Sequence, residues 1–373
     1  MGSEILIIAG EVSGDMHGSA LVHAFKKLKP EVAFTGIGGD EMQKEGVNLM
    51  YHVSKMSFLG LVEVIKHLPF IKRVKKEIIT HVRNQGIKHA VLIDYPGFNL
   101  SLAKSLKKEG VKIIYYISPQ IWAWGRGRIT KIKKLVDKML VILPFEEKLY
   151  RDNGVDCDYV GHPLVERINN YCFTERDWIY LENNLDSSKG ILLVQPGSRK
   201  QEVLEMYPVI IMGARRLAEE YDLQIVVNCS PGIEREIFEG LSADNQPKVI
   251  KGFTYELMKY ATLGIVKSGT STLEAGLMGL PMVIVYKANP LTYLIGRTLV
   301  KLKNIGLINI VMGKTVVPEL IQGELTENGI YTRGREVMAR SEEIKKELLK
   351  SRTVLGEEPA SERSALMIAS LIG

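Results

Sequence analysis

The feature that most constrains the fold is a short apolar run leading directly into small hydroxylated residues and a helical pattern. Residues 262–266 have the length and composition of a buried parallel strand, and Ser268-Gly269-Thr270 follow them. The free N–H groups of a helix beginning there would attract a phosphate, and Glu274, one turn further on, could accept hydrogen bonds from ribose hydroxyls. This stretch indicates an α/β fold with a nucleoside diphosphate site. The alternative is a simple helix cap, with Glu274 only a favourable first-turn charge.

The length and composition of the chain indicate two domains. With 373 residues, 46% of them apolar and 25% charged, it is too long for one ordinary core and typical of a soluble globular protein. Its cysteines, Cys157, Cys172 and Cys229, show neither CxxC spacing nor metal-ligand neighbours. No apolar run approaches the roughly 18 to 20 residues of a spanning helix, and the apolar start is too short for a secretory signal. We therefore expect a protein of the reducing cytoplasm without a metal site.

The start of the chain predicts a strand, a glycine-rich turn and a helix. The strand is expected at residues 4–9, the turn at residues 10–18 and the helix from Ala20. Loops beyond the carboxyl ends of parallel strands bind ligands in such sheets, so the polar side chains of this turn are predicted to face a cleft. These side chains are Glu11, Ser13, Asp15 and His17. The alternative is that Ser13 or Asp15 caps the helix.

An acidic residue stands at the end of a fully apolar strand further along. Residues 90–93 form the strand and Asp94 follows it, which is where a catalytic group meets the cleft of an open parallel sheet. Asp94 is therefore the candidate general base. The alternative is a capping aspartate, weakened because Asn99 and Ser101 could cap the next helix instead.

The stretch at residues 56–76 is apolar and edged by basic residues. One face of a helix here would carry Phe58, Leu61, Val62, Ile65 and Leu68, and lysines and an arginine border it. This pattern suits a helix lying in a membrane interface. The alternative is an ordinary core helix with a solvated basic rim.

Two tryptophans and two arginines share the turn at residues 118–128. Trp122, Trp124 and Arg126 could contact a lipid headgroup, a phosphate or a sugar ring. Interleaved basic and aromatic residues also occur in nucleic-acid-binding proteins, but no nucleic-acid fold motif accompanies this turn, so a nucleic-acid partner is not expected.

The second half of the chain opens with another strand and turn. Residues 190–194 form the strand, and Gly197, Ser198 and Arg199 follow it. Backbone N–H groups and the guanidinium can together hold a diphosphate. The lysine and threonine of a P-loop are missing, which argues against ATP hydrolysis.

Two strand–helix domains whose glycine-rich turns face a central cleft are the two-Rossmann-domain architecture, GT-B type, of many nucleotide-sugar transferases. Six motifs, in this order, resemble the lipid-A-disaccharide synthase family. They are Gly10-Glu11-Val12-Ser13-Gly14-Asp15, Ser118-Pro119-Gln120-Ile121-Trp122-Ala123-Trp124, Leu143-Pro144-Phe145-Glu146, Gly161-His162-Pro163, Pro196-Gly197-Ser198-Arg199, and Ser268-Gly269-Thr270 with Glu274. The family's usual alanine is Val12 here, and Gln120-Ile121 stand where Ser-Val is frequent. Neither change touches a charged group.

On this basis we expect four segments. An N-terminal acceptor and membrane-facing domain covers residues 1–168, and a linker covers 169–189. A C-terminal UDP-sugar-binding domain covers 190–345, and a helical tail covers 346–373.

The resemblance implies the transfer of 2,3-diacylglucosamine from UDP to 2,3-diacylglucosamine 1-phosphate, at the inner face of the bacterial inner membrane. It implies an inverting mechanism without a bound metal and a peripheral membrane association, and it is compatible with a homodimer. Asp94 would be the general base, with Glu11 and Asp15 as further catalytic candidates. Arg199 and the helix at Ser268 would neutralise the diphosphate, Glu274 would hold the ribose, and Asn309 matches a position near the nucleotide.

Two other classes of protein remain open on the sequence. A UDP-sugar 2-epimerase shares the architecture and the ribose glutamate but would not need the apolar, basic stretch at residues 56–76. A non-catalytic lipid or nucleotide carrier would retain a UDP-sugar without turnover.

Overall fold

The computed structural model describes residues 4–56, 67–122, 126–240, 247–287 and 304–372. The chain forms two compact units. The N-terminal unit comprises Met1–Arg167 together with Leu355–Gly373, and the C-terminal unit comprises Ile168–Val354.

A parallel seven-stranded sheet forms the centre of the N-terminal unit. Its strand order is β3-β2-β1-β4-β5-β6-β7. In chain order the strands are β1 Glu4–Ala9, β2 Ala33–Gly38, β3 Asn48–His52, β4 His89–Ile93, β5 Lys112–Tyr116, β6 Lys138–Val141 and β7 Cys157–Tyr159.

Both faces of this sheet are covered, which explains why its strands are apolar throughout. Ile5 and Ile7 of β1 belong to one core cluster, whereas Leu6 and Ile8 belong to the cluster on the opposite face. Alternate residues of a strand point to opposite faces, so a strand buried on both sides must be apolar at every position.

The helices of this unit connect its strands. Those described are α1 Val12–Leu28, α2 Asp40–Lys44, α3 Leu68–Gln85, α4 Pro96–Leu106, α5 Ile129–Leu135, α6 Pro144–Asp152 and α7 Pro163–Asn169, the last of which extends into the C-terminal unit. Single 3-10 turns lie at Val53–Lys55, Lys107–Glu109 and Arg126–Arg128. Several helices begin with proline, whose missing N–H costs nothing in a first turn.

Helix α3 covers only part of the stretch for which the sequence predicts a membrane-facing helix. Phe58, Leu61 and Ile65 lie outside the described residues, and Leu68 at the start of α3 is 42% exposed. Beyond it, Val74, Ile78 and Val82 are buried against the sheet. The described part of the stretch is therefore an amphipathic helix with a packed apolar stripe. No helix within the described ranges is both long and apolar enough to cross a membrane.

A parallel six-stranded sheet forms the centre of the C-terminal unit. Its order is β10-β9-β8-β11-β12-β13. The strands are β8 Gly190–Gln195, β9 Leu223–Cys229, β10 Lys248–Lys251, β11 Leu263–Lys267, β12 Met282–Tyr286 and β13 Glu319–Ile321. Its described helices are α8 Arg176–Glu182, α9 Lys200–Glu220, α10 Glu236–Gly240, α11 Thr254–Tyr260, α12 Thr270–Leu277, α13 Leu307–Val311, α14 Glu327–Ala339 and α15 Ser341–Val354, with a 3-10 turn at Gln322–Glu324.

Each sheet reverses its strand order once. In the N-terminal unit the reversal lies between β1 and β4, and in the C-terminal unit it lies between β8 and β11. Helices leave the two central strands toward opposite faces, so a crevice opens at their carboxyl ends, where sheets of this kind bind ligands. The turns after these four strands contain the main candidate residues predicted from the sequence.

The end of the chain returns to the N-terminal unit. Helix α16, Ala360–Ile372, packs on α1, and its Ala365 and Ile368 share a core cluster with Leu21 and Phe25. The segment predicted as one helical tail is thus divided, because α15 belongs to the C-terminal unit. Likewise, helix α8 of the expected linker is counted within the C-terminal unit.

Candidate active site

A pocket of about 390 Å³ lies at the carboxyl ends of the central strands of the C-terminal unit. Gly197, Ser198 and Arg199, which follow β8, and Ser268, Gly269 and Thr270, which follow β11, all line it. Glu274 of α12 also lines it. The structure therefore brings the predicted diphosphate and ribose residues of this unit to one pocket.

Glycine is required in both turns of this pocket. Gly197 has φ +131° and Gly269 has φ +155°, values that residues with a Cβ rarely adopt. Gly269 immediately precedes α12, and the hydroxyl of Ser268 donates a 3.0 Å hydrogen bond to the carbonyl oxygen of Ile305. The backbone at the start of α12 is thus held against the segment that follows the undescribed residues 288–303.

The carboxylate of Glu274 has a defined neighbour. The hydroxyl of Tyr255 donates a 3.2 Å hydrogen bond to Glu274 Oε1. This bond orients the carboxylate at the pocket wall, where it can accept hydrogen bonds from a ligand's hydroxyl groups.

The side-chain amide of Asn309 uses all of its hydrogen-bonding groups within the protein. Its amide nitrogen donates 2.8 Å hydrogen bonds to Val317 O and Glu319 Oε1, and its oxygen accepts bonds from the N–H groups of Val316 and Val317. The side chain is completely buried. These contacts give Asn309 the task of fixing the loop between α13 and β13, and leave its amide no further hydrogen bond to offer a nucleotide.

In the N-terminal unit, Asp94 stands directly after β4 on a strained turn. Asp94 and the following Tyr95 have φ +44° and +46°, the left-handed region that non-glycine residues seldom occupy. Burial raises the pKa of Asp94 to about 6, and the negative charge of Glu11 adds to the shift. A carboxyl group with this pKa is ionised near neutral pH yet remains basic enough to accept a proton.

The capping alternative for Asp94 does not describe this turn. The residue at the N-cap of α4 is Tyr95, and it makes no side-chain capping bond. Asn99 lies inside α4, and its amide nitrogen donates to Ile93 O at 3.0 Å and to Asp94 O at 2.8 Å.

The ring of Tyr95 also packs over Gly10, where a Cβ would lie 2.1 Å from the ring. Gly10 is thus required to let the two turns approach each other.

The helix after β1 starts earlier than the sequence predicts. It begins at Val12, so Ser13, Asp15 and His17 lie in its first turns rather than in a loop. Glu11 and Ser13 are exposed beyond the end of β1.

Asp15 is buried and committed to the backbone. Its oxygens accept hydrogen bonds from the N–H groups of Gly39 at 2.6 Å, Glu41 at 3.1 Å and Met42 at 3.0 Å. These groups belong to the first turn of α2 and the residue before it. The geometry therefore favours a capping role for Asp15, of a helix 25 residues further on rather than of its own.

Two histidines of the N-terminal unit are held neutral. Burial and the charge of Arg167 lower the pKa of His17 to about 4, and burial together with His17 lowers the pKa of His162 to about 3. His162 Nδ1 accepts a 3.1 Å hydrogen bond from Leu164 N, which fixes its ring. Across the described parts of the chain, no group of three or more His, Cys, Asp and Glu side chains is arranged to hold a metal ion.

A buried acid, Glu146, anchors the turn at residues 118–128 that contains the two tryptophans, and the sequence alone indicates no such role for it. Glu146 Oε1 accepts hydrogen bonds from Trp122 Nε1 at 2.9 Å and from Ser118 Oγ at 2.8 Å, and its other oxygen accepts one from Leu143 N. Burial raises the pKa of Glu146 to about 7, although these bonds oppose the shift. Trp122 therefore faces inward with its N–H. Trp124 and the side chain of Arg126 lie outside the described residues.

Lys267 and Glu202 form a second pair for which the sequence alone indicates no role. Lys267 ends β11 and lines the pocket of the C-terminal unit, and its Nζ lies 3.0 Å from Glu202 Oε1. A lysine ending an otherwise apolar strand was the available signal, but its partner is 65 residues away in the sequence.

The family of the chain follows from comparison with known proteins. The model of the family described as lipid-A-disaccharide synthetase matches residues 5–372. The lipid-A-disaccharide synthase of Syntrophus aciditrophicus is 41% identical over 99% of this chain and 97% of its own length. That of Myxococcus xanthus is 40% identical with the same coverage.

Solved structures show the same fold at low identity. A UDP-GlcNAc 2-epimerase from Neisseria meningitidis bound to UDP-GlcNAc is similar with a TM-score of 0.67 and 10% identity, over 99% of each chain. A glycosyltransferase from Rickettsia africae is similar with a TM-score of 0.59 and 11% identity, over 99% of this chain and 98% of that one. Because the identities are so low, these structures establish only the GT-B architecture. The activity is inferred from the family match. The chain belongs to the lipid-A-disaccharide synthase family and is a glycosyltransferase of lipid A disaccharide synthesis, as its motifs predict.

Proposed function

We propose that this protein transfers 2,3-diacylglucosamine from its UDP derivative to the 6-hydroxyl of 2,3-diacylglucosamine 1-phosphate. The products are the β-1,6-linked disaccharide 1-phosphate and UDP. The family match over residues 5–372 is the observation that carries this proposal. The turn after β8, the turn after β11 and Glu274 all line one pocket, which supports the proposal.

In the proposed donor complex the diphosphate lies between the turn after β8 and the start of α12. Backbone N–H groups in these two turns suit the binding of an anion, and the residues concerned are Gly197, Ser198, Gly269 and Thr270. Arg199 adds a mobile charge, because its side chain is 71% exposed. Glu274 accepts hydrogen bonds from the ribose hydroxyls.

In the proposed chemical step Asp94 acts as the general base. It takes the proton of the acceptor 6-hydroxyl while the oxygen attacks the anomeric carbon from the face opposite UDP. The bond from that carbon to the diphosphate oxygen breaks, so the configuration inverts and UDP leaves with the electron pair. A pKa of about 6 and a strained turn at the sheet's reversal point support this role. Glu11 is the nearest alternative, since its charge acts on Asp94.

We further propose that the protein binds peripherally to the cytoplasmic face of the bacterial inner membrane, because both substrates carry acyl chains. The apolar stretch containing Phe58, Leu61, Ile65 and Leu68, with Trp124 and Arg126 of the tryptophan turn, would contact the lipid. The exposed Leu68 and the basic outer face of α3 support this part of the proposal.

The direct test incubates the purified protein with UDP-2,3-diacylglucosamine and 2,3-diacylglucosamine 1-phosphate and follows the products by mass spectrometry. We expect UDP and a disaccharide 1-phosphate in equal amounts. Epimerised UDP-sugar without a disaccharide would instead identify an epimerase, and retention of the donor without turnover would identify a carrier.

A further inference from the structure

The nucleotide pocket contains a second cation besides Arg199. Lys267 is the last residue of β11, it lines the pocket, and its side chain is 20% exposed. Among the pocket's described lining residues, only Arg199 and Lys267 carry a positive charge. They reach the pocket from two different strand ends, one on each side of the sheet's reversal point.

One carboxylate contacts both cations. Glu202 Oε1 lies 3.0 Å from Lys267 Nζ and 3.5 Å from Arg199 Nη1. The Glu202 side chain is only 17% exposed, so it and Lys267 form a largely buried pair, whereas Arg199 reaches into solvent. A buried ammonium needs a partner of this kind to remain charged.

The turn after β8 leaves space for this arrangement. A Cβ on Gly197 would lie 2.9 Å from Glu202 Oε2, so glycine at this position lets the carboxylate approach the backbone. Glu202 Oε2 is buried and has no hydrogen-bond partner among the described residues. The carboxylate is therefore committed to the two cations through its other oxygen.

The charges of this cluster do not cancel. Two cations face one carboxylate, which leaves one net positive charge on the cluster of Arg199, Lys267 and Glu202. Glu274 is the other charged residue among the pocket's described lining residues. Because Lys267 is fixed and partly withdrawn from water, its attraction for an incoming anion is stronger than that of a freely hydrated lysine.

We propose that Lys267 binds the diphosphate of the UDP-sugar directly, held in place by Glu202, while the mobile Arg199 transfers from Glu202 to the same diphosphate when the donor binds. This inference rests on the proposed donor site. Lys267 would then stabilise the charge that builds on the diphosphate as the glycosidic bond breaks, and Glu202 would act as a positioning residue.

The test compares ligands that differ only in phosphate. Binding of UDP, UMP and uridine is measured by calorimetry for the wild type, K267M and K267R. Removing one charged contact should weaken UDP binding about 10- to 100-fold while uridine binding stays within twofold, and K267R should recover most of the loss. Equal losses for UDP and uridine would mean a structural role only, and unchanged UDP binding by K267M would overturn the proposal.

A double variant controls for the carboxylate of Glu202, which K267M leaves with Arg199 as its remaining cation. K267M/E202Q should bind UDP as weakly as K267M, because the ammonium itself makes the contact. Recovery of wild-type affinity in the double variant would show that Lys267 only neutralises Glu202, and would overturn the proposal. A wild type that forms no disaccharide contradicts the proposed function, whereas these affinity ratios test Lys267 alone.

Discussion

The side-chain amide of Asn99 donates a 2.8 Å hydrogen bond to the carbonyl oxygen of Asp94, and the hydroxyl of Tyr115 donates to the same oxygen. Asn99 also binds the carbonyl oxygen of Ile93, and both Asn99 and Tyr115 are fully buried. Two consecutive residues with positive φ cost free energy, of the order of 1–3 kcal/mol each, and persist only where their surroundings hold them. Asn99 and Tyr115 supply that constraint and thereby position the carboxyl group of Asp94.

Tyr115→Phe removes one of these bonds without changing the size of the core. We expect turnover to fall by about 10-fold or more, with little change in KM for the donor, because a slightly displaced base affects the chemical step. Tyr116→Phe is the matched control, since Tyr116 is equally buried but packs on the opposite face of the sheet. Equal loss of activity in both variants would show a general effect on the core.

Asp94→Asn should abolish most activity while keeping the fold. Turnover should decrease by roughly 10²–10⁴-fold, and asparagine tolerates the left-handed backbone better than most residues. In the wild type, turnover should decrease as the pH falls below about 6, where Asp94 becomes protonated. Activity within a few-fold of wild type in the variant would transfer the role to Glu11.

The same substitution makes a prediction about stability. Burial raises the pKa of Asp94 from 3.8 to about 6 in the folded protein, so folding favours the protonated form. Protonated Asp94 therefore adds to the free energy of unfolding. This contribution is fully present below pH 3.8 and is lost as the pH rises through 6. Asp94→Asn should therefore melt at a higher temperature than the wild type at pH 7.5, with the difference shrinking toward pH 4. A variant that melts lower at pH 7.5 would contradict this account.

Arg199→Ala should weaken UDP binding and slow transfer together, because in the proposed donor complex the same charge meets the diphosphate before and during bond breaking. The expected loss in affinity is about 10-fold or more, the usual range for a charged hydrogen bond. The wild type should remain active in EDTA. A strict requirement for Mg²⁺ would refute a metal-free mechanism.

Replacing Phe58, Leu61, Ile65 and Leu68 with serine tests the membrane proposal. Each apolar side chain that is removed from the lipid takes away about 1.5–3 kcal/mol of favourable burial free energy, so the variant should no longer float with vesicles in a flotation assay. Its melting temperature should stay near that of the wild type. Val74→Ser is the control, because Val74 of α3 is completely buried and its loss should lower the melting temperature. A collapsed melting temperature in the quadruple variant would identify these residues as core.

The local pattern of the sequence determined the strands, the turns and the class of fold. Runs such as residues 191–194 and 263–266 are buried and carry no polar side chain, because a parallel strand with helices on both faces has no solvent side. The glycines and hydroxyl residues after them predicted where the pocket would lie, and the pocket is lined by those residues. These inferences depend on neighbours in the sequence and on the period of the strand, which can be read without the fold.

Only the tertiary structure decided what individual polar side chains do. The sequence predicts a catalytic turn around Asp15, yet Asp15 lies in α1 and caps a helix about 25 residues away. All hydrogen-bonding groups of the Asn309 side chain are used within the loop that it supports. Lys267 and Glu202 meet across 65 residues because β8 and β11 are neighbours in the sheet. The last helix joins the N-terminal unit by packing on α1, although its own sequence resembles any amphipathic tail. A carboxylate or an amide has the same sequence signature whether it serves a ligand or a buried N–H, and its partner is chosen by strand order and packing, which no local pattern encodes.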